Sequence, residues 1–564
     1  MVVRRTGYPQ VDPRAAGLMD PGVVVVPHRL AIAQAARLAR RRRARLVAAR
    51  SGRSWAGASH DTLTRALALG LGEAPLETIL WDAVVVAPTL GEVAVRRRLG
   101  PDRPFALVQG ARGPIGVIFR DSASPSALPL SLAARLERLP PAIRTILRNA
   151  GTLGGALGFP VALVGGLVRD LLLERVGERA DLDLVVEGDA LAFAHRLARD
   201  LSGKVAEHVT FLTAAVVLPD GRRIDVATAR RETYRAPGAL PSVEPAALGE
   251  DLARRDFSLN ALAVRLDPAA WGALLDTTGG LADLRARRLR ILHPLSFVED
   301  PTRLLRAARF AARLGGRIDP TTRRLAVRAV ALDVYQALSA DRIRAELELV
   351  LAEPRPATVL REVASLGALR LVAPGAVLNR RTARLLDVAL APRALAGLAP
   401  DARLALCLLS LSESTPNADA ASSRLATPSL RDAIARARID APRLLARLTR
   451  ARGGGAAYTS LEGAAPVTVA WARALTSSPD VRRRLDGHLR SRRGRRTLAT
   501  GEDILALGVA AGPAVGGLLR ELRGMQAAGR IRSRAGALRW LAGAVARGRG
   551  RRRPPLTQPG KGGG

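Results

Sequence analysis

The chain has 564 residues, 48% of them hydrophobic, which is enough for several packed domains and too apolar for a disordered polypeptide. Its net charge of +38 is carried almost wholly by arginine, with Lys204 and Lys561 the only lysines, and such a field favours a polyanionic partner, nucleic acid first. A single cysteine, Cys407, excludes an internal disulfide and a cysteine-built metal site, no apolar run approaches a membrane span, and Met1-Val2-Val3-Arg4-Arg5 leads into no signal-peptide core, so a cytoplasmic protein with no membrane partner is expected.

In chain order, the first feature is a weak internal repeat at a spacing of about sixty residues. Val24-Val25-Val26-Pro27 matches Val84-Val85-Val86-Ala87-Pro88, Arg45-Leu46-Val47 matches Ala106-Leu107-Val108, and Trp55-Ala56-Gly57 matches Pro114-Ile115-Gly116. The pattern predicts strand, helix, strand, turn, strand, twice over. It resembles a tandem CBS pair over 1–125, and Arg65 to Pro75 resembles the segment that joins the two repeats. Phe119-Arg120-Asp121-Ser122 and Ser59-His60-Asp61 depart from the hydroxyl-plus-acid pattern with which such pairs bind adenosine ligands. The departures favour a degenerate, structural or dimer-forming pair, so a homodimer through this region is the oligomer expected. A linker helix is expected over 126–150.

The apolar run Val161 to Val164 leads into Gly165-Gly166-Leu167-Val168-Arg169-Asp170, and Asp181-Leu182-Asp183-Leu184-Val185-Val186 follows. Glycines there let the backbone approach a triphosphate closely. Asp181 and Asp183 stand at the start of a predicted strand, where period-two alternation points both carboxylates to one face. Alone, such a pair is most often a solvated strand end, but two hard oxygen ligands side by side suit Mg²⁺, the expected cofactor. Asp225, in the predicted strand Arg222-Arg223-Ile224-Asp225-Val226, is a candidate third acidic group. Thr228-Ala229-Arg230-Arg231-Glu232-Thr233-Tyr234 and Asp251-Leu252-Ala253-Arg254-Arg255-Asp256-Phe257-Ser258-Leu259-Asn260 come next.

Glu299-Asp300-Pro301-Thr302-Arg303-Leu304-Leu305-Arg306-Ala307-Ala308-Arg309 reads as a helix start, with Pro301 in the first turn and Asp300 ahead of it. Asp300 and Arg303, three apart, can meet one target, and Arg306 and Arg309 continue that face. An ionised Asp only accepts hydrogen bonds and Arg only donates them. Cytosine and adenine offer an amino donor beside a ring-nitrogen acceptor, whereas uracil and guanine offer the reverse, so such a pair admits CTP and ATP and rejects UTP and GTP.

The order of these blocks resembles the class II tRNA nucleotidyltransferase and bacterial poly(A) polymerase family, in its long-form branch. The resemblance implies an α+β protein with a small polymerase beta-like nucleotidyltransferase α/β head and an all-α neck, body and tail. The expected limits are 151–290 for the head, 291–375 for the neck, 376–545 for a helical RNA-binding body and tail, and 546–564 for a disordered basic end. By resemblance, Asp181 and Asp183 are the catalytic, metal-holding pair. Gly165, Gly166, Arg169, Asp170, Arg230, Arg254, Arg255, Asp256, Asn260, Asp300, Arg303, Arg306 and Arg309 handle the nucleotide. The implied reaction adds CTP and/or ATP to the 3′ end of tRNA or another RNA. CCA, CC, A and poly(A) addition share the motifs, and Arg235 to Glu244 departs from the loop usual in CCA-adding members. A protein of another class, an inactive RNA-binding or nucleotide-sensing CBS scaffold, is disfavoured by the intact acidic and base-reading residues.

Leu275-Asp276 and Gly279-Gly280 resemble a hinge segment between head and neck. Further on, the helical apolar rhythm of 337–347 predicts a helix that Ser339 or Asp341 caps, and Gly508 and Gly512 are expected to feed one beginning near Val515. Arg482-Arg483-Arg484, Arg492-Arg493 and Arg495-Arg496 are candidate RNA contacts.

Overall fold

In the computed structural model, the described residues are 19–100, 102–120, 130–177, 180–395, 397–414, 424–491, 498–527 and 530–548. Asp121, Ser122, the arginines at 492–496 and all but the first residues of the basic end lie outside them. The chain forms two compact units. One comprises the residues up to Glu346 together with Glu362–Ala368, and the other Leu347–Arg361 and Leu369 onward.

The first unit opens with the predicted repeat. Strands β1 (Val23–Val25), β2 (Leu46–Ser51), β3 (Ser54–Ser59) and β4 (Trp81–Asp82) form one sheet, and β5 (Val84–Val86), β6 (Phe105–Gly110) and β7 (Gly113–Phe119) another. β1 pairs parallel with β2, and β5 with β6, after helices Ile32–Arg41 and Glu92–Arg98 respectively, while β3 and β7 return antiparallel. The sheets meet closely at Gly57, where a Cβ would fall 3.1 Å from the Phe105 ring.

The second part of this unit is a seven-stranded mixed sheet in the order β10-β11-β12-β9-β8-β13-β14, formed by β8 (Val161–Val164), β9 (Leu182–Val186), β10 (Lys204–His208), β11 (Thr213–Val217), β12 (Arg223–Thr228), β13 (Ala263–Arg265) and β14 (Leu274–Leu275). All four residues of β8 are buried, because both faces of the sheet are covered. Val161 and Leu163 join a core with helices Pro141–Leu157 and Ala190–Asp200, whereas Ala162 and Val164 face Leu248, Leu252, Ala261 and Ala263. The described part of the expected linker, 130–150, therefore packs into this core. Leu132, Leu136, Ile143, Ile146, Leu147 and Ala150 are all buried there, the last four at the i, i+3, i+4, i+7 spacing of an apolar helix stripe. Asp276 accepts from the backbone N–H of Gly280 (2.8 Å) and Leu281 (3.0 Å), capping helix Gly280–Arg285. Helix Thr302–Leu314 follows and ends at Gly315, whose φ of +59° is the left-handed stop.

The second unit is helical. Helices Pro400–Ser412, Pro428–Arg450, Pro466–Leu475, Pro479–Ser491 and Pro513–Ala527 each begin at proline, whose missing N–H costs nothing in a first turn. The expected neck, 291–375, is thus divided between the units, and the late helix starts at Pro513. Gly508 and Gly512 precede it with φ of +82° and +147°. Arg482 donates to the Thr476 carbonyl, Arg483 to Asp480, and Arg484 to the carbonyls of Leu448 (3.1 Å) and Ala451 (2.9 Å), so each of the trio has a partner within its own unit. Cys407 is buried and free, its thiol pushed up to about 12 by burial. No described helix is long and apolar enough to cross a membrane.

Candidate active site

The Gly-Gly turn and the acidic pair meet where β8 and β9 run side by side. Val164 pairs with Asp183, so the residue after Val164 is driven against that carboxylate. Gly165 takes φ +73° and ψ −138°, a conformation nearly confined to glycine, and a Cβ there would lie 2.8 Å from Asp183 Oδ2. Asp181 sits one residue before β9, on the same side as Asp183. β12 pairs parallel with β9, and this register sets Asp225 beside Asp183.

These residues line a cavity of about 1080 Å³. Its wall includes Gly165, Gly166, Arg169, Asp170, Asp181, Asp183, Asp225, Arg254, Arg255, Asp256, Asn260, Asp300, Arg303, Arg306 and Arg309. Arg230 is not among them. Its guanidinium donates to the Phe211 carbonyl and to Glu232 Oε1 (3.0 Å), bracing the loop behind Arg254.

Burial and the like charge of Asp225, with a smaller push from Asp181, hold the Asp183 carboxyl up at about 6 against the pull of Arg255. Two hard oxygen donors side by side, with the like charge of Asp225 next to them, fit a divalent cation at Asp181 and Asp183. Asp225 is already engaged, accepting from Arg223 Nε at 2.8 Å, and among the described residues no group of three or more His, Cys, Asp or Glu is arranged to hold a metal.

A hydrogen-bonded chain ties the three predicted blocks together. Arg169 donates to Asp170 Oδ1 (3.0 Å) and Asn260 Oδ1 (3.3 Å), Asn260 to Asp256 Oδ1 (3.0 Å), and Arg306 to Asp256 Oδ2 (2.5 and 3.0 Å) and Glu346 Oε1 (2.9 Å). Burial alone would raise Asp256, but Arg306 and the Asn260 amide hold it below the usual carboxylate range.

Beside this chain, the wholly buried Asp251 accepts from Arg254 and from Arg255 (2.8 and 3.1 Å), fixing both guanidinia. Burial would raise Asp251 too, and Arg255 and Arg254 outweigh it, leaving the carboxyl depressed. A depressed carboxylate contributes stability above its unfolded value of about 3.9 and loses it as pH falls through the folded value. Asp251→Asn should therefore destabilise the unit by about 3 kcal/mol at pH 7, and thermal melts should show that gap narrowing below about pH 4.

At the other end of the cavity, Asp300 Oδ1 accepts from the Thr302 N–H (3.1 Å), the Thr302 hydroxyl (2.6 Å) and Arg342 Nη2 (2.8 Å). Asp300 thus caps the first helical N–H while still lining the cavity. Among the described residues, its Oδ2 carries no protein hydrogen bond. Arg303 is held by Ser296 Oγ (2.7 Å) and the Arg254 carbonyl (3.1 Å), which anchors its fork beside Asp300. Arg309 bonds Glu346 Oε2 (3.3 Å), and its buried Nε has no partner.

Glu232, Tyr234, Asp251, Arg342 and Glu346 are among the residues here that the sequence assigned no role. Glu232 and Tyr234 stand in a block already visible in the sequence, and Tyr234 lines the cavity with its hydroxyl on Glu232 Oε2 (2.8 Å). Arg342 and Glu346, four apart on helix Ala340–Ala352, form one helical face, which Ser339 caps through the Arg342 N–H (3.4 Å).

A Gly-Gly turn beside strand-borne carboxylates, facing an arginine-rich cavity, defines a nucleotidyltransferase head, and residues 161–290 match the Poly A polymerase head domain. An A-adding tRNA nucleotidyltransferase of Geobacter sulfurreducens is 33% identical over 88% of this chain and 61% of its own length, so the chain spans less than two thirds of that relative. A CC-adding tRNA nucleotidyltransferase of Deinococcus radiodurans is 39% identical over 66% of this chain and 86% of its own. Two solved structures superpose with a TM-score of 0.57: the Thermotoga maritima CCA-adding enzyme complexed with tRNA (29% identity, 74% of this chain and 100% of that one) and a CCA-adding enzyme complexed with ATP (30% identity, 75% and 98%). The chain belongs to the CCA-adding tRNA nucleotidyltransferase family.

Proposed function

We propose that this protein adds nucleotides from ATP and/or CTP to the 3′ end of tRNA without a nucleic-acid template, and that terminal A addition is its principal product. The observation that carries the reaction is the pairing of Gly165, Asp181 and Asp183 with Asp300 and Arg303 in one cavity. The A-adding assignment is supported by the relative of that activity, which matches 88% of the chain, and by the departure of the 235–244 segment from the loop of complete CCA-adding members.

The terminal ribose 3′-hydroxyl attacks the α-phosphorus in line and pyrophosphate leaves. Asp181 and Asp183 would hold Mg²⁺, whose chemistry there is to acidify the attacking hydroxyl and neutralise triphosphate charge. Arg254 and Arg255, fixed by Asp251, offer planar donor forks to phosphate oxygens. Asn260, oriented by Asp256, faces the ribose. Asp300 Oδ2 accepts from the exocyclic amino group of adenine or cytosine, and Arg303 donates to the adjacent ring nitrogen. The N-terminal repeat is read as a degenerate CBS pair with a structural or dimer-forming role, which its two parallel strand-helix-strand crossovers support.

The test supplies one tRNA transcript in three forms, lacking CCA, ending in CC, or complete, with ATP, CTP or both, and sizes the products at nucleotide resolution. One residue added to the CC end from ATP alone is expected. Three residues added to the bare end would make the protein a complete CCA-adding enzyme, and no extension of any end would overturn the reading.

A further inference from the structure

The N-terminal repeat docks on the rest of its unit through a row of ion pairs. Arg324 grips Asp82 with both Nη atoms (2.7 and 3.0 Å), Arg328 reaches Glu77 Oε2 (3.3 Å), and Arg288 reaches Asp102 (3.2 Å). The fourth contact differs in kind. Arg65, on helix His60–Ala68, donates from Nη2 to Glu299 Oε1 at 2.5 Å, and Glu299 immediately precedes Asp300.

The Glu299 carboxylate is 5% exposed, against 39% for Arg65. Its other near neighbour is His293 (Nε2 to Oε2, 3.4 Å), a largely buried imidazole held neutral by desolvation and by the fields of Arg65 and Arg303. Among the described residues, Arg65 is therefore the one arginine in direct contact with that carboxylate. The Glu299 carbonyl accepts from the Gly238 N–H (3.2 Å), and Arg342, which bonds Asp300 Oδ1, also donates to the Gly238 carbonyl (2.7 Å). Glu299, Gly238, Arg342 and Asp300 thus form a closed ring, and among the described residues its charged tie to the N-terminal repeat is Arg65.

We propose that Arg65 is a positioning residue for nucleotide selection, anchoring Glu299 so that the turn after it presents Asp300 to the incoming base. The proposal rests on the reading of Asp300 as the base selector. It also gives the N-terminal repeat a stake in the specificity of a site it does not line.

The experiment measures single-nucleotide addition to a CC-ended tRNA from ATP and from GTP, in the full chain and in Arg65→Ala, Arg65→Lys, Arg324→Ala, Glu299→Gln and Asp300→Ala. Arg65→Ala should lower kcat/KM for ATP roughly tenfold and shrink the ATP-to-GTP preference by a similar factor, since small displacements of a reacting or reading group are that costly. Arg65→Lys should restore most of the preference. Arg324→Ala, which cuts the same interface away from Asp300, should leave the preference unchanged. In the Glu299→Gln background, Arg65→Ala should do nothing more to the preference, a readout independent of any shared loss of folded protein.

Equal effects of Arg65→Ala and Arg324→Ala on the preference would reduce Arg65 to a docking contact and overturn the proposal. So would an unchanged preference in Arg65→Ala when Asp300→Ala abolishes it. An unchanged preference in Asp300→Ala itself would instead overturn the base-selector reading, and this proposal with it.

Discussion

Asp183→Ala should abolish nucleotide addition, by roughly three orders of magnitude or more in kcat, while tRNA affinity in a filter-binding assay stays within about twofold of the parent. The asymmetry follows from the site. Asp183 lies against the Gly165 backbone and lines the cavity, with Asp181 one alternation away, so its removal would delete half of the oxygen donor set proposed for the cation. RNA affinity, by contrast, draws on an arginine excess spread along the whole chain. A second readout separates loss of chemistry from loss of fold. A carboxyl held up at about 6 in the folded protein favours its neutral form, so it costs stability once ionised. In EDTA at pH 8, Asp183→Asn should therefore melt above the parent, and this gain should vanish below about pH 4, where the carboxyl is protonated in both folded and unfolded chains. An inactive variant that is more stable without metal is what a functional acidic pair predicts, and full activity in Asp183→Ala would remove the site assignment altogether.

How much of this was visible in the sequence depends on the range of the interaction. The Gly-Gly turn, the alternating aspartates and the start of helix Thr302–Leu314 rest on neighbours within a few residues, so period and turn chemistry alone locate them. The N-terminal repeat was legible for the same reason, as apolar triplets at a fixed spacing. Segment 126–150 reads as a linker in the sequence because its apolar stripe shows no partner until the sheet is built. Asp225 could be placed on a strand, but its position beside Asp183 is a matter of register, and its capture by Arg223 depends on side-chain geometry. Arg230 stands in a block rich in site residues, yet a carbonyl at Phe211 and a carboxylate at Glu232 draw it away from the cavity. Arg342 and Glu346 were invisible as site residues because their partners, Asp300 and Arg306, are about forty residues upstream.

The second large effect concerns the identity of the base. Asp300→Ala should lower kcat/KM for ATP by about a hundredfold and bring GTP to within about tenfold of it, whereas Asp300→Asn should raise incorporation of UTP and GTP specifically. In the folded protein, Thr302 and Arg342 occupy one carboxylate oxygen and leave Oδ2 open, so the position presents an acceptor and no donor. An amide offers a donor from the same place and can pair with the carbonyl of uracil or guanine, which the carboxylate repels. Arg303→Lys should weaken ATP and CTP together, because an ammonium cannot hold Ser296 and the Arg254 carbonyl while also donating to the base. The three variants make distinct patterns: broadened choice, inverted choice and uniform loss. Primer extension on one tRNA with each nucleoside triphosphate in turn distinguishes them. Equal losses for all four triphosphates in every variant would mean that Asp300 and Arg303 hold the fold of the cavity and leave base selection to other residues.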